Sequence, residues 1–267
     1  MTRLKDSRVS TRDFERLEIT VQGVEQVLYT AGTGRPLFYF HGASTFHGFD
    51  FARDWINDFK VYVPYHPGFA ESADAPHLTS TLDYVAHYKG LLDALGLAKI
   101  HLVGCSLGGR LAAEFALTHP EHIESLALLC PAGLDCPEAP MTNLGAISPQ
   151  ELPSYLVEDT STLAPFLPTT DDPEFTALRA RESATVGGLT RHGFRSLLIN
   201  STQDPLPAAT LLVWGKKDRV IPVDQAYAWL HKFPGIELEL LEAVGHLLLD
   251  ESKTSRQLIA SFCSRSN

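Results

Sequence analysis

The stretch Ile100-His101-Leu102-Val103-Gly104-Cys105-Ser106-Leu107-Gly108-Gly109 decides the reading of the chain. The run from Ile100 to Val103 has the length and apolarity of a short buried strand. Leu111-Ala112-Ala113-Glu114-Phe115-Ala116-Leu117, just after it, reads as a helix that packs closely through small residues. Only a sharp turn joins strand to helix over so few residues. The turn forces Ser106 into a strained backbone conformation with its hydroxyl outward. Glycines at 104 and 108 leave room where strand and helix approach each other.

Working outward, the segments on either side alternate between strand and helix. Pro36–Phe40 and Lys60–Pro64 read as buried central strands, and Ile123–Leu129 as another. Residues 50–58 suggest a short helix. Thr79–Leu95 has helical apolar spacing, with Gly96 suited to its C-terminal stop. Before them, Leu17–Val21 and Gln26–Tyr29 flank Gly23 as an antiparallel hairpin at a sheet edge, after a loose lead-in of about fifteen residues. The alternation from 36 to 130 predicts an α/β fold, a mostly parallel sheet with helices on both faces. Sites in such folds lie at the C-terminal ends of the strands. His41-Gly42, the loop 65–72 and Ser106 all fall there.

The texture changes after Cys130: residues 131–207 hold ten of the chain's seventeen prolines and no long strand. Ser148-Pro149-Gln150-Glu151 predicts a capping box, and Asp172-Pro173 opens a second helix. The expectation is a core domain formed by 1–130 and 208–267, with 131–207 inserted as a helical lid. Leu152, Leu156, Phe166, Leu167 and Phe175 either line a pocket beneath that lid or form its own small core. The sheet resumes with Thr210–Gly215. Asp218 lies in the exit loop, and Pro222 is expected at the first position of a helix running to about Lys232. Ile236–Leu241 is the last strand, Ala243–His246 its exit loop, and Leu247–Cys263 a closing helix.

A chain of 267 residues suffices for one large domain. Its net charge of −10 argues against nucleic acid and anionic membranes as partners and says little about a small-molecule substrate, because a local site can differ from the whole. No apolar targeting segment precedes residue 18, and no stretch reaches the length of a membrane span. Cys105, Cys130, Cys136 and Cys263 form no framework, which fits reduced, buried thiols in a cytoplasmic protein. Cys105 neighbours the serine but is expected to point away and pack. No group of residues has metal-site spacing, and no cofactor is called for. Oligomeric state is not written in these features.

A serine hydroxyl attacks a carbonyl only when a base takes its proton and a third group orients that base. His246 follows a strand late in the chain, and Asp218 follows the strand before it. Gly-x-Ser-x-Gly between strand and helix is the nucleophile-elbow pattern, and Ser106…Asp218…His246 is the chain order that goes with it. From about residue 17 to 263 the chain resembles the α/β-hydrolases, in particular the lidded bacterial esterases, lactonases and carbon–carbon hydrolases. The matching residues are His41-Gly42, Pro67-Gly68-Phe69 with Ser72, Gly104–Gly109, Trp214-Gly215 with Asp218 and Pro222, and Gly245-His246. The resemblance implies a catalytic triad of Ser106, Asp218 and His246, with an oxyanion hole made by the backbone N–H groups of Ala43 and Leu107. Ser44 is the less favoured donor, and Asp135 the less favoured acid.

The sequence departs from the family pattern twice. Tyr65 and Ala70 stand where the loop after the fourth strand usually has aspartate and glycine. Ala43-Ser44-Thr45 replaces the longer glycine-rich oxyanion loop of the carbon–carbon hydrolases. His41, His47 and His66 are expected in structural roles. The implied activity is carboxylesterase-like hydrolysis of a small to medium ester through an acyl-enzyme on Ser106. Lactone or carbon–carbon hydrolysis by the same triad stays open, as does a ligand receptor that keeps a hydrolase pocket.

Overall fold

The computed structural model describes residues 8–190, 205, 206 and 208–265. Residues 1–7 of the expected lead-in, 191–204 and 207 of the expected lid, and 266 and 267 lie outside it.

Eight strands form one sheet: β1 (Glu15–Val21), β2 (Val24–Ala31), β3 (Arg35–Phe40), β4 (Phe59–Pro64), β5 (Ile100–Cys105), β6 (Ile123–Leu129), β7 (Thr210–Gly215) and β8 (Glu237–Leu241). Their order across the sheet is β1-β2-β4-β3-β5-β6-β7-β8. The β1–β2 hairpin and the β2–β4 pair are antiparallel, and every pairing from β4 to β8 is parallel. Burial follows position. Every residue of β5 and β7 is buried, as their continuous apolar runs require, whereas the edge strands β1 and β8 alternate.

Two helices flank the central strands. In α1 (Thr81–Leu95), Ser80 accepts the Asp83 N–H and Asp83 accepts the Ser80 N–H, and Gly96 closes the helix in the left-handed region at φ +68°. α2 (Leu107–Thr118) packs on β3, β5, β6 and α1. The expected helix at 50–58 is a 3-10 turn, Asp50–Asp54.

Between β6 and β7 the described chain holds α3 (Leu152–Leu156) and α4 (Pro173–Thr190), with short 3-10 turns between them. The Ser148 motif differs from expectation. The Ser148 hydroxyl accepts the Glu151 N–H at 3.3 Å but donates to the Glu151 carboxylate, which therefore does not reach back to the backbone. The result is a capped turn, and α3 starts only at Leu152. Asp172 does accept the Phe175 N–H at the start of α4.

After β7, α5 (Asp224–Lys232) begins two residues beyond Pro222. The closing segment is two helices rather than one, α6 (Leu248–Glu251) and α7 (Lys253–Arg265). Ser252 takes an extended conformation between them, and its hydroxyl accepts the Ser255 N–H. Among the described residues no helix is long and apolar enough to cross a membrane.

Candidate active site

Ser106 sits between β5 and α2 at φ +54°, ψ −116°. Such a backbone costs about 1–3 kcal/mol and persists only where its surroundings hold it. Here the Ser106 N–H donates to Leu129 O at 2.9 Å, and its carbonyl accepts from Arg110 and Ala132 at 3.1 and 3.0 Å. The two glycines are required by contact. A Cβ at 104 would lie 2.4 Å from Gly108 O, and one at 108 would lie 2.1 Å from Phe40 O. Leu107 opens α2, so its N–H has no acceptor within the helix.

A cavity of about 400 Å³ opens over Ser106. Gly42, Ala43, Leu107 and His246 line it beside the serine. Asp218 lies behind His246: the His246 Nδ1–H donates to Asp218 Oδ2 at 2.7 Å. The other carboxylate oxygen accepts the Val220 and Ile221 N–H groups, each at 2.8 Å, which fixes its plane. With Nδ1 donating, Nε2 is the nitrogen that carries the lone pair. Burial pulls the His246 pKa down, and the adjacent Asp218 more than reverses this, so the imidazole ends above its ordinary value. Asp135 is in a different cleft, beside Leu134 and Asp224.

The loops carrying Asp218 and His246 are pressed together. A Cβ at Gly215 would fall 2.2 Å from Val244 O. Glu251 then ties the histidine loop to the β6–β7 connection, accepting N–H groups from Gly245 (2.7 Å), Glu158 (2.7 Å) and Asp159 (3.0 Å). Sequence reading missed Glu251, because Glu158 and Asp159 lie about ninety residues away.

The loop after β3 has moorings of its own. His41 Nδ1–H donates to Gly42 O at 2.7 Å, and its Nε2 accepts the His66 N–H at 2.9 Å. The His66 Nε2–H donates to His41 O at 2.8 Å, while Nδ1 accepts from the Tyr88 hydroxyl. Burial keeps both imidazoles neutral, pushing His66 down to about 3 and His41 well below its ordinary value. These two are structural, as expected. His47 is buried, pairs with Asp250 at 3.2 Å and also lines the cavity.

Cys105 is buried in the core, as expected, and also borders the cavity, with His246 and His47 in the electrostatic surroundings of its thiol. Of the five apolar residues singled out for a pocket, Leu152 and Leu156 line the cavity. Phe166, Leu167 and Phe175 pack against the core, with Phe175 edge-on to Phe46 at 5.8 Å. Met141–Gly145, Arg179 and Val186 are also part of the wall, none of them legible beforehand. Nor did spacing reveal that Cys130, Asp218 and His246 bring possible ligand atoms within 4.8 Å of one another. The Cys130 thiol, held protonated by burial, donates to His246 O at 3.2 Å.

A family model of the alpha/beta hydrolase fold matches residues 36–253. A monoacylglycerol lipase of Xenopus laevis is 28% identical over 261 residues, covering 82% of this chain and 74% of its own. The 2-hydroxy-6-oxo-6-phenylhexa-2,4-dienoate hydrolase of Burkholderia cepacia is 27% identical over 255 residues, covering 82% and 84%. Among solved structures, a bacterial membrane phospholipase A superposes with a TM-score of 0.80 at 20% identity, over 97% of this chain and 88% of that one. The chain therefore belongs to the α/β-hydrolase fold family, and it is a hydrolase.

Proposed function

We propose that the chain hydrolyses small to medium carboxylic esters through an acyl-enzyme on Ser106. The observation that carries this reading is the 2.7 Å His246–Asp218 bond at the wall of the cavity that Ser106 lines. His246 Nε2 takes the hydroxyl proton as Ser106 Oγ attacks the carbonyl carbon. The carbonyl oxygen becomes an oxyanion facing the Ala43 and Leu107 N–H groups, each such donor supplying about 3–4 kcal/mol of transition-state stabilisation. The tetrahedral adduct collapses, His246 hands the proton to the leaving alcohol, and Asp218 stabilises the imidazolium in between. Water then repeats the sequence on the acyl-enzyme and frees the acid. Residues 131–207 act as the lid, and Leu152, Leu156 and Met141 give the acyl chain an apolar wall.

A second reading has an observation of its own. Arg179 lines the same cavity. A cation there suits an anionic substrate, and the Burkholderia cepacia relative is named for a dienoate. Carbon–carbon hydrolysis of such a substrate would use the same three residues.

The test is turnover of p-nitrophenyl esters of graded chain length beside a vinylogous diketone acid. Ser106→Ala is expected to abolish turnover with the thermal midpoint unchanged, and an active Ser106→Ala enzyme would refute the acyl-enzyme. Asp218→Asn is expected to lower kcat by about 10³–10⁴-fold. Activity needs neutral His246, so kcat/KM rises with pH through that pKa. Removing the carboxylate takes away the main opposition to burial, so the limb should move to lower pH in any residual activity.

A further inference from the structure

α4 is joined to the loops beside the cavity by polar bonds as well as by apolar packing. Glu182, 0% exposed, lies against the loop after β3. One carboxylate oxygen accepts the Thr45 hydroxyl and the other accepts the Thr45 N–H at 3.3 Å. One turn earlier, Arg179 donates to the Ser44 hydroxyl, lies 3.5 Å from the Glu182 carboxylate and stands over the Phe46 ring. The same helix holds the loop after β4. Arg181 donates to Ala70 O and Ser72 O, both at 2.6 Å, and the Thr185 hydroxyl to Gly68 O at 3.3 Å.

A buried carboxylate is costly unless its oxygens are bonded, and leucine would fill the same space without that cost. Two facts give the glutamate a task. The loop's first residue, His41, is fixed to the core through His66. Thr45, its fifth, is fixed by Glu182. Ala43 lies midway between these anchors. We propose that Glu182 is a positioning residue for the oxyanion hole: by holding Thr45 it aims the Ala43 N–H at the oxygen of the Ser106 adduct. This rests on the acyl-transfer reading above. Its consequence is that transition-state stabilisation depends on the Glu182–Thr45 bonds, so the helix that walls the cavity also completes the site.

The experiment compares Glu182→Ala, Glu182→Gln and Arg181→Ala. The readouts are kcat and KM on p-nitrophenyl butyrate, thermal midpoint, and backbone amide exchange in the 41–48 segment. Glu182→Ala is expected to lower kcat by about 10–100-fold, the scale of a misaimed donor, with KM within about threefold. Exchange in 41–48 should quicken. Glu182→Gln keeps an oxygen for the Thr45 N–H and an amide that can donate to its hydroxyl, so kcat should return to within about threefold of wild type. Arg181→Ala removes bonds of the same helix to the other loop, so it should lower the midpoint and leave kcat within about twofold. Should Glu182→Ala not fold, Thr45→Val removes the hydroxyl alone and should lower kcat by about 3–10-fold at unchanged KM.

Wild-type kcat in Glu182→Ala or Thr45→Val, unchanged exchange in 41–48, or equal loss of kcat in Glu182→Ala and Arg181→Ala would each overturn the inference. An active Ser106→Ala enzyme would overturn the acyl-transfer reading itself, and the two failures are read from different variants.

Discussion

Two strand-exit loops bring backbone N–H groups to the same cavity, and they are built in opposite ways. The turn at Ser106 is held by backbone atoms: its glycines touch Phe40 and each other, its N–H donates to Leu129 O, and its carbonyl accepts from Arg110 and Ala132. The loop from His41 to His47 is held through side chains of partners elsewhere in the fold. His66 lies 25 residues away, Glu182 137 from Thr45, and Asp250 203 from His47. A tight turn concentrates its constraints in a few residues, so each one is intolerant. A moored loop spreads them over the fold, so no single residue within it looks special.

The sharpest way to break this contrast is to add one methyl group to each loop. In Gly108→Ala the new Cβ meets Phe40 O at 2.1 Å and His41 O at 2.4 Å, both backbone atoms that cannot swing aside. We expect a loss of about 4 kcal/mol or more, or no folded protein, in urea denaturation. In Gly42→Ala the nearest atoms are Ser106 Cβ at 3.4 Å and Cys105 O at 3.6 Å, ordinary contact distances. That variant should stay within about 1 kcal/mol of wild type. Equal losses would mean that the moored loop is as rigid as the turn.

The same contrast decides what could be read beforehand. Ser106, Asp218 and His246 each follow a strand, and the strand periodicity places such exits at one rim of a parallel sheet. Their meeting there needed only chain order. Glu182 gave a weaker trace. Leu178, Glu182 and Leu189 are the buried positions of α4, so a carboxylate occupies a place in an apolar stripe. Among the Arg and Glu residues of Ala177-Leu178-Arg179-Ala180-Arg181-Glu182 it passes for part of a solvated face. Met141–Gly145 carried no periodic pattern at all. Its position comes from Thr142, which donates through its N–H to Val220 O at 2.8 Å and through its hydroxyl to Arg219 O at 2.6 Å, contacts no local rule specifies.

Acid separates the two loops next. The base of the 41–47 loop needs neutral His41 and His66, and His66 is held down to about 3 by burial. In the unfolded chain both protonate near 6.5. Their contribution to stability is therefore present above that value, declines as pH falls below it, and for His66 levels off near pH 3. Each group held neutral costs roughly 1 kcal/mol per pH unit in this window. His66→Gln should be less stable than wild type at pH 7 but lose stability more slowly, by roughly 1 kcal/mol per unit, between pH 6 and 4. Parallel urea midpoints for the two proteins across that range would show that His66 does not carry this acid sensitivity.

The smallest effect is expected at Ala70, which α4 holds through Arg181. Ala70 is in the left-handed region at φ +41°, which glycine adopts without strain. Such a backbone costs an alanine about 1–2 kcal/mol, which Ala70→Gly would recover. Glycine loses about 0.5–1 kcal/mol in the entropy of the unfolded chain. Deleting a largely buried methyl group costs about 0.8 kcal/mol more. These contributions nearly cancel, so the substitution should change stability by less than about 1 kcal/mol in either direction and leave kcat unaltered. A loss above about 2 kcal/mol would mean that the methyl group packs where the helix meets the loop, and that α4 grips by shape as well as by hydrogen bonds.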